Sequence, residues 1–281
     1  MTRLTDKACF LLHFYSTKGG MNMNEIQLTV ENYIATVHLN RQRVGNAFST
    51  EMMEGWCDIF AEIHKKEDIR CVIVKSDLPN AFTFGGDIKE EQHLKGDFAC
   101  HFSNLGQACA KCLRDCPYPV IFSIHGYCLG AGLEFLLSAD LVIASDDIQL
   151  GIPTIKLGEI PGFGGIGLLG EKIGYANAMD LLLTGRTLQG QEALRLGLIQ
   201  YLVSPEELEQ KTKELADTIC GFAPLAVQKM KRVLQHTYGT TLEEQLAYET
   251  DAFMEICQTT DRTNAIEAFL NKKPSPTFQG K

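Results

Sequence analysis

Apolar and polar side chains alternate in the first patterned stretch of the chain, IQLTVENYIATVHL (26–39), where β-branched residues flank a polar ENY; this predicts an antiparallel hairpin. The period then changes. Met52, Met53, Trp56, Ile59, Phe60 and Ile63 recur at helical spacing within Glu51–Lys65, behind Ser49 or Thr50 as a cap. CVIVK (71–75) and VIFSI (120–124) are short, continuously apolar runs of the buried-strand kind, separated by a long helical stretch over 97–115. A third run, Leu141–Ala144, follows a helix-like Gly132–Ser138. Strands alternating with helices predict βαβ crossovers and a mostly parallel sheet covered by helices. Beyond about residue 172 the spacing is mainly helical, over 175–183, 189–196, 205–219, 223–236, 241–258 and 261–270. The expected organisation is therefore an α/β core over 23–205 and a helical C-terminal region over 206–281, with residues 1–22 as an N-terminal extension for which disorder is one reading.

Composition narrows the function classes. With 281 residues, 45% of them hydrophobic, the chain can bury a full core as one large domain or a domain with an appendage. A formal net charge of −9 opposes binding along a nucleic-acid backbone, although a few lysines or a helix N-terminus can still hold a phosphate locally. No apolar run reaches the roughly 18–20 residues of a membrane span, so neither nucleic acid nor membrane is an expected partner. The apolar stretch near Cys9–Leu12 is interrupted by His13 and Lys18 and reads poorly as a leader, while Met21 and Met23 stand just before the first strand pattern. Ten cysteines spread through apolar segments fit small buried hydrophobes in a reducing, cytoplasmic setting. Cys109, Cys112 and Cys116 form C-x2-C-x3-C, but the same spacing is one face of a helix ending before Pro117 and no fourth ligand is near, so no metal is expected.

Three glycine-rich stretches follow strand patterns where helices should begin: AFTFGGDIKE (81–90), IHGYCLGAGLEF (124–135) and LGEIPGFGGIGLLG (157–170). Glycine there lets backbone approach a ligand, and free N–H groups can face negative charge. Any one of them would serve equally as a packing turn; three together point to a ligand. Gly162, Gly164 and Gly167 make a literal G-x-G-x-x-G, yet Glu159-Ile160-Pro161 precedes it where a dinucleotide fold needs an apolar strand. No G-x-S-x-G, H-E-x-x-H or P-loop is present, against a serine hydrolase, a zincin or a P-loop NTPase.

These stretches carry a resemblance. AFTFGGDIKE is similar to F-x-x-G-x-D-x-x-E, HGYCLGAGLEFLLSADLVIAS to N/H-G-x-x-x-G-G-G-x-E-L-x-x-x-C/A-D-x-x-x-A-S, and LGEIPGFGG to L-G-x-x-P-G-x-G-G, all of the enoyl-CoA hydratase/isomerase (crotonase) superfamily. GRTLQGQEALRLGLIQYLV, NAFST, APLAVQKMKR and AFLNKKPSPTF extend the match over residues 24–278. The resemblance implies an α/β fold of repeated ββα units forming two near-perpendicular sheets, with a C-terminal helical region that assembles trimers and often hexamers. It implies an acyl-CoA substrate, no separate cofactor because coenzyme A belongs to the substrate, and an oxyanion hole made by the N–H groups of Gly86 and Ala131. Such donors acidify a thioester α-carbon by holding its enolate.

Glu134 falls where hydratases of the family place one of two catalytic glutamates; the second position is Thr154, which cannot take a proton near neutral pH. Asp140 matches a structural position, Glu159 lies in the turn before Pro161, and His125 has a packing or turn role. For coenzyme A the resemblance points to Arg43, Val44 and Asn46, to Phe84, Gly86, Asp87, Ile88 and Lys89, to Gly130, Pro161 and Gly162, and to Lys272 and Lys273 toward the phosphates. Hydration of a 2-enoyl-CoA is the expected reaction. An isomerase, a decarboxylase or hydrolase, and a non-catalytic acyl-CoA-binding protein are the alternatives.

Overall fold

A computed structural model of the chain describes residues 25–281, so the reading of residues 1–22 lies outside the described part. The predicted hairpin is present: β1 (Ile26–Glu31) and β2 (Ile34–Leu39) pair antiparallel across Asn32 and Tyr33, both at positive φ, as a two-residue turn requires. β3 (Cys71–Ser76) then pairs parallel with β2, β5 (Val120–Ile124) with β3, β7 (Leu141–Ser145) with β5, and β10 (Tyr201–Val203) with β7. The result is a six-stranded sheet in the order β1-β2-β3-β5-β7-β10.

A second sheet is built from very short strands, β4 (Ala81–Thr83), β6 (Tyr127–Leu129), β8 (Gln149–Gly151) and β9 (Leu188–Gln189), in the order β4-β6-β8-β9. Each of β3, β5 and β7 in the large sheet is followed directly by one of these short strands. Helices Ile88–Glu91 and Gly96–Asp115 then follow β4, and Ala131–Leu136 follows β6. This is the ββα repeat implied by the resemblance. Strands of two or three residues are too short to show a period, which is why the hydrophobic pattern revealed one sheet and hid the other.

The continuous apolar runs are explained by a large sheet buried on both faces. Val72, Val74, Val120, Phe122, Ile124, Val142 and Ala144 face the main core, around Trp56 and the helices Thr50–Lys65 and Gly96–Asp115. The alternate residues Cys71, Ile73, Ile121 and Ile143 face Leu208, Ala216 and Cys220 of the helix Leu208–Cys220. Ser49, rather than Thr50, caps Thr50–Lys65 by accepting from Met52 N. Cys109 is buried with its Sγ 3.7 Å from Cys57 Sγ, and Cys116 is buried at the helix end, so this cysteine run lines a packed helix face. Asp140 accepts from Val120 N at 2.7 Å and pairs with Lys231 at 2.6 Å, tying the helix Pro224–His236 to the sheet. His125 Nε2 lies 2.5 Å from Leu78 O, in the turn role expected of it.

The last three helices, Pro224–His236, Leu242–Cys257 and Thr260–Leu270, bury little of their apolar surface: Leu242, Phe253 and Phe269 are 69%, 65% and 82% exposed. Among the described residues no helix is long and apolar enough to cross a membrane.

Candidate active site

The three glycine-rich stretches converge. Gly85, at φ 111°, and Gly130, at φ 50°, lie so close that a side chain on either would meet the other's Cα at 3.5 Å. Both are in the left-handed half of backbone space that glycine alone adopts freely, so the sequence needs glycine there for conformation as well as for space. The next residue of each loop carries a spare donor. Phe48 bridges the first loop through Phe48 N to Gly85 O and Asp87 N to Phe48 O, leaving the Gly86 N–H between them with no acceptor among the described residues. Ala131 opens the helix Ala131–Leu136, where a first-turn N–H has no intrahelical partner.

One turn further along that helix stands Glu134, only 3% exposed. Its Oε2 accepts from Phe163 N and Gly165 N, both at 2.8 Å, leaving Oε1 unengaged by the described residues. Gly165 is required for this approach, because a Cβ there would meet the glutamate's Cγ at 2.6 Å. Neighbouring Phe135 holds the same loop from the core side, stacking on Phe163 at 5.6 Å and on Trp56 at 5.6 Å. Gly106 of the long helix leaves the notch that Phe163 fills. Burial pushes the Glu134 carboxyl up to about 7, against the opposing pull of the Gly165, Phe163 and Gly162 N–H groups. A carboxyl poised there can exchange a proton at neutral pH.

Phe163→Ala is expected to lower stability by about 3 kcal/mol, through the lost stack and the cavity left behind. It should also lower activity, because the loop whose N–H groups orient Glu134 loses its anchor. Denaturant titration and a rate measurement on the same sample check this; a loss of stability with full activity would detach the stack from the site.

Gly86, Ala131, Glu134 and Thr154 line one cavity of about 640 Å³, together with Phe84, Ile88, Gly130 and Gly162. Thr154 sits in a short 3-10 turn, Pro153–Leu157. The remaining residues proposed for coenzyme A, Arg43, Val44, Asn46, Asp87, Lys89, Pro161, Lys272 and Lys273, lie outside that lining. Asn46 is fully buried and committed to scaffold: its side chain accepts from Arg41 N and donates to Leu39 O, Ser76 Oγ and Phe82 O. Asp87 is buried, pairs with Arg41 at 2.7 Å and caps the turn at Lys89 N. Desolvation opposes its charge, but the Arg41 contact outweighs this and holds its carboxyl below the ordinary range. Val44 and Pro161 are half-buried beside these loops, whereas Arg43, Lys89, Lys272 and Lys273 are exposed. Phe84 N donates to Gly45 O, so the loops at 43–46 and 84–89 do adjoin.

Two carboxylates line the cavity beside Glu134. One is Glu159, already singled out in the sequence; the other is Glu91, which no motif in the sequence marks. Glu91 directly follows the last residue of the F-x-x-G-x-D-x-x-E pattern, in a polar IKEE run that reads as a solvated face.

The comparisons agree with this geometry. The family model described as enoyl-CoA hydratase/isomerase matches residues 29–281. Bacillus subtilis (strain 168) YngF, provisionally named an enoyl-CoA hydratase/isomerase, is 37% identical over 251 residues, which are 89% of this chain and 96% of that protein. The short-chain-enoyl-CoA hydratase of Clostridium acetobutylicum is 31% identical over 261 residues, 93% of this chain and all (100%) of that protein. The crystal structure of an enoyl-CoA hydratase from Bacillus anthracis superposes with a TM-score of 0.88 at 30% identity, covering 92% of this chain and 100% of that one. Two sheets joined by ββα repeats, a buried glutamate beside two spare N–H groups, and a match along nearly the whole described chain place the protein in the enoyl-CoA hydratase/isomerase family, with the crotonase fold.

Proposed function

We propose that the protein hydrates a 2-enoyl-CoA to the 3-hydroxyacyl-CoA. The observation that carries this reading is the placing of Glu134: a buried carboxylate, fixed through one oxygen and pushed up to about 7 by burial, lining the same cavity as Gly86 and Ala131, whose N–H groups meet no acceptor among the described residues. Water adds to C3 as Glu134 takes its proton. The electrons of the C2=C3 bond move onto the thioester oxygen, and the two N–H groups hold that enolate until C2 is protonated. Thr154 can hydrogen-bond water or substrate here but supplies no proton acceptor.

Coenzyme A is read as entering over the loops at 43–46 and 84–89, past the exposed Phe84 and Tyr127 rings, which pack 5.3 Å apart. Lys272 and Lys273 are read as phosphate contacts, and the exposed apolar side chains of the last three helices as a trimer or hexamer surface. Cytoplasmic placement follows from the cysteine usage alone. Isomerisation of an enoyl-CoA is the second reading, favoured by Thr154, since a single carboxylate suffices to shuttle one proton. Decarboxylation of an anionic acyl group fits less well, because Glu91, Glu134 and Glu159 all line the cavity and would repel it.

Mass spectrometry of the purified protein with a panel of acyl-CoAs tests the reading. Crotonyl-CoA is expected to gain one water and a saturated acyl-CoA to stay unchanged. Loss of carbon dioxide from a malonyl-type CoA, or release of free coenzyme A, with no hydration of crotonyl-CoA would replace it.

A further inference from the structure

We infer that Glu91 is the second acid–base group of this site, the proton donor to C2 that complements Glu134; the inference rests on the hydratase reading above. Its position is built by its neighbours. Asp87 caps the four-residue helix Ile88–Glu91. Glu90 is drawn out of the cavity by Thr50, whose N–H donates to it at 2.9 Å and whose hydroxyl donates as well. With Glu90 held there, the next side chain turns inward. Glu91 Oε1 lies so close over Gly86 that a Cβ at residue 86 would meet it at 1.8 Å, which puts the carboxyl beside an oxyanion donor and hence beside the thioester. It lines the same cavity as Glu134, Thr154 and Ala131.

Unlike Glu134, Glu91 receives no hydrogen bond from the described residues at its carboxylate, and this difference sorts the roles. Two N–H groups on Glu134 favour its charged form, the base, whereas nothing comparable favours the anion of Glu91. Desolvation pushes the Glu91 carboxyl up to about 7, reinforced by the negative charges of Glu159, Asp87, Glu134 and Glu90 around it. Lys156, at the cavity wall, is the basic residue in the lining. Two carboxyls lining one cavity repel when both are charged, so the form with one proton on the pair is favoured, which is the state a hydration needs. The step balances. Glu134 removes a proton from water as oxygen bonds to C3, the enolate collapses, and Glu91 gives its proton to C2. The pair still carries one proton afterwards, on Glu134, and its return to Glu91 resets the site.

The test uses the full chain, crotonyl-CoA and a pH series from about 5.5 to 9, with Glu91→Gln and Glu91→Met measured beside wild type and Glu134→Gln. Met fills the same volume, so a folding failure of one variant leaves the other to read. The wild-type kcat/KM profile is expected to be bell-shaped, its acid limb from Glu134 and its alkaline limb from Glu91. In the Glu91 variants kcat should fall at least about 100-fold, KM should stay within about threefold, and the alkaline limb should vanish. Retention of kcat, a change confined to KM, or a lower kcat with the alkaline limb intact would each overturn the role. Wild type active and Glu134→Gln inactive, with the Glu91 variants unimpaired, removes this inference alone. A wild type that hydrates no enoyl-CoA removes the hydratase reading and the inference with it.

Discussion

Glu134→Gln is expected to lower kcat for crotonyl-CoA hydration by at least about 100-fold and, at pH 8, to raise the melting temperature. The first effect follows from deleting the proton acceptor while keeping its shape. The second follows from linkage. Burial lifts the folded-state value from an ordinary 4.5 to about 7, so folding favours the protonated carboxyl. That contribution is fully present below about 4.5 and is lost as pH rises through about 7, where the buried charge costs on the order of 3 kcal/mol. Glutamine removes that cost and still offers an oxygen to the N–H groups of Phe163 and Gly165. The stability gain should therefore be largest at pH 8 and disappear toward pH 4. Near-normal turnover would take Glu134 out of the chemistry, and a lower melting temperature at pH 8 would mean that its charge supports the loop instead.

What was legible in the sequence depended on length of pattern. The hairpin, the three long buried strands and the main helices have enough residues for a period, and their observed bounds fall within a few residues of the expected ones. The second sheet and the extent of the helix Gly165–Ile173 have no hydrophobic period to mark them, because the strands are only two or three residues long and the helix is glycine-rich; the two-sheet arrangement came from the resemblance and not from the pattern. Glycine marks the loops in the sequence, since Gly85, Gly86 and Gly130 stand where backbone must bend or come close, and Glu134 sits in an apolar run that argues burial, while the roles of Gly86, Ala131 and Glu134 are those the resemblance implies. Glu91 was not readable. Glu90 and Glu91 are the same residue type in adjacent positions, and only the contact of Glu90 with Thr50, forty residues away in sequence, decides which of them faces the cavity. Asn46, placed near coenzyme A by the resemblance, has its side-chain amide committed to Leu39, Ser76 and Phe82, partners that lie far from it in sequence and that no local pattern could indicate.

Gly86→Pro is expected to abolish measurable hydration in a protein that still folds. The loop is held by Phe48 N on Gly85 O and by Asp87 N on Phe48 O, so the Gly86 N–H takes no part in the scaffold and proline deletes a donor without breaking a structural hydrogen bond. Loss of one oxyanion donor costs about 3 kcal/mol of transition-state stabilisation, or roughly 100-fold or more in rate. Proline also brings a Cβ to the place where Glu91 Oε1 rests, so the rate alone does not separate the donor from the displaced carboxyl. Gly86→Ala does, because it adds the same Cβ and keeps the N–H. The distinguishing readout is the carbonyl stretch of a bound acyl thioester, which two N–H donors shift to lower frequency whether or not turnover follows. That shift should persist in Gly86→Ala and shrink in Gly86→Pro, while turnover falls in both. An unchanged stretch in Gly86→Pro, with acyl-CoA bound and the fold intact, would mean that the thioester oxygen is held elsewhere, and the Gly86 half of the oxyanion hole would have to be given up.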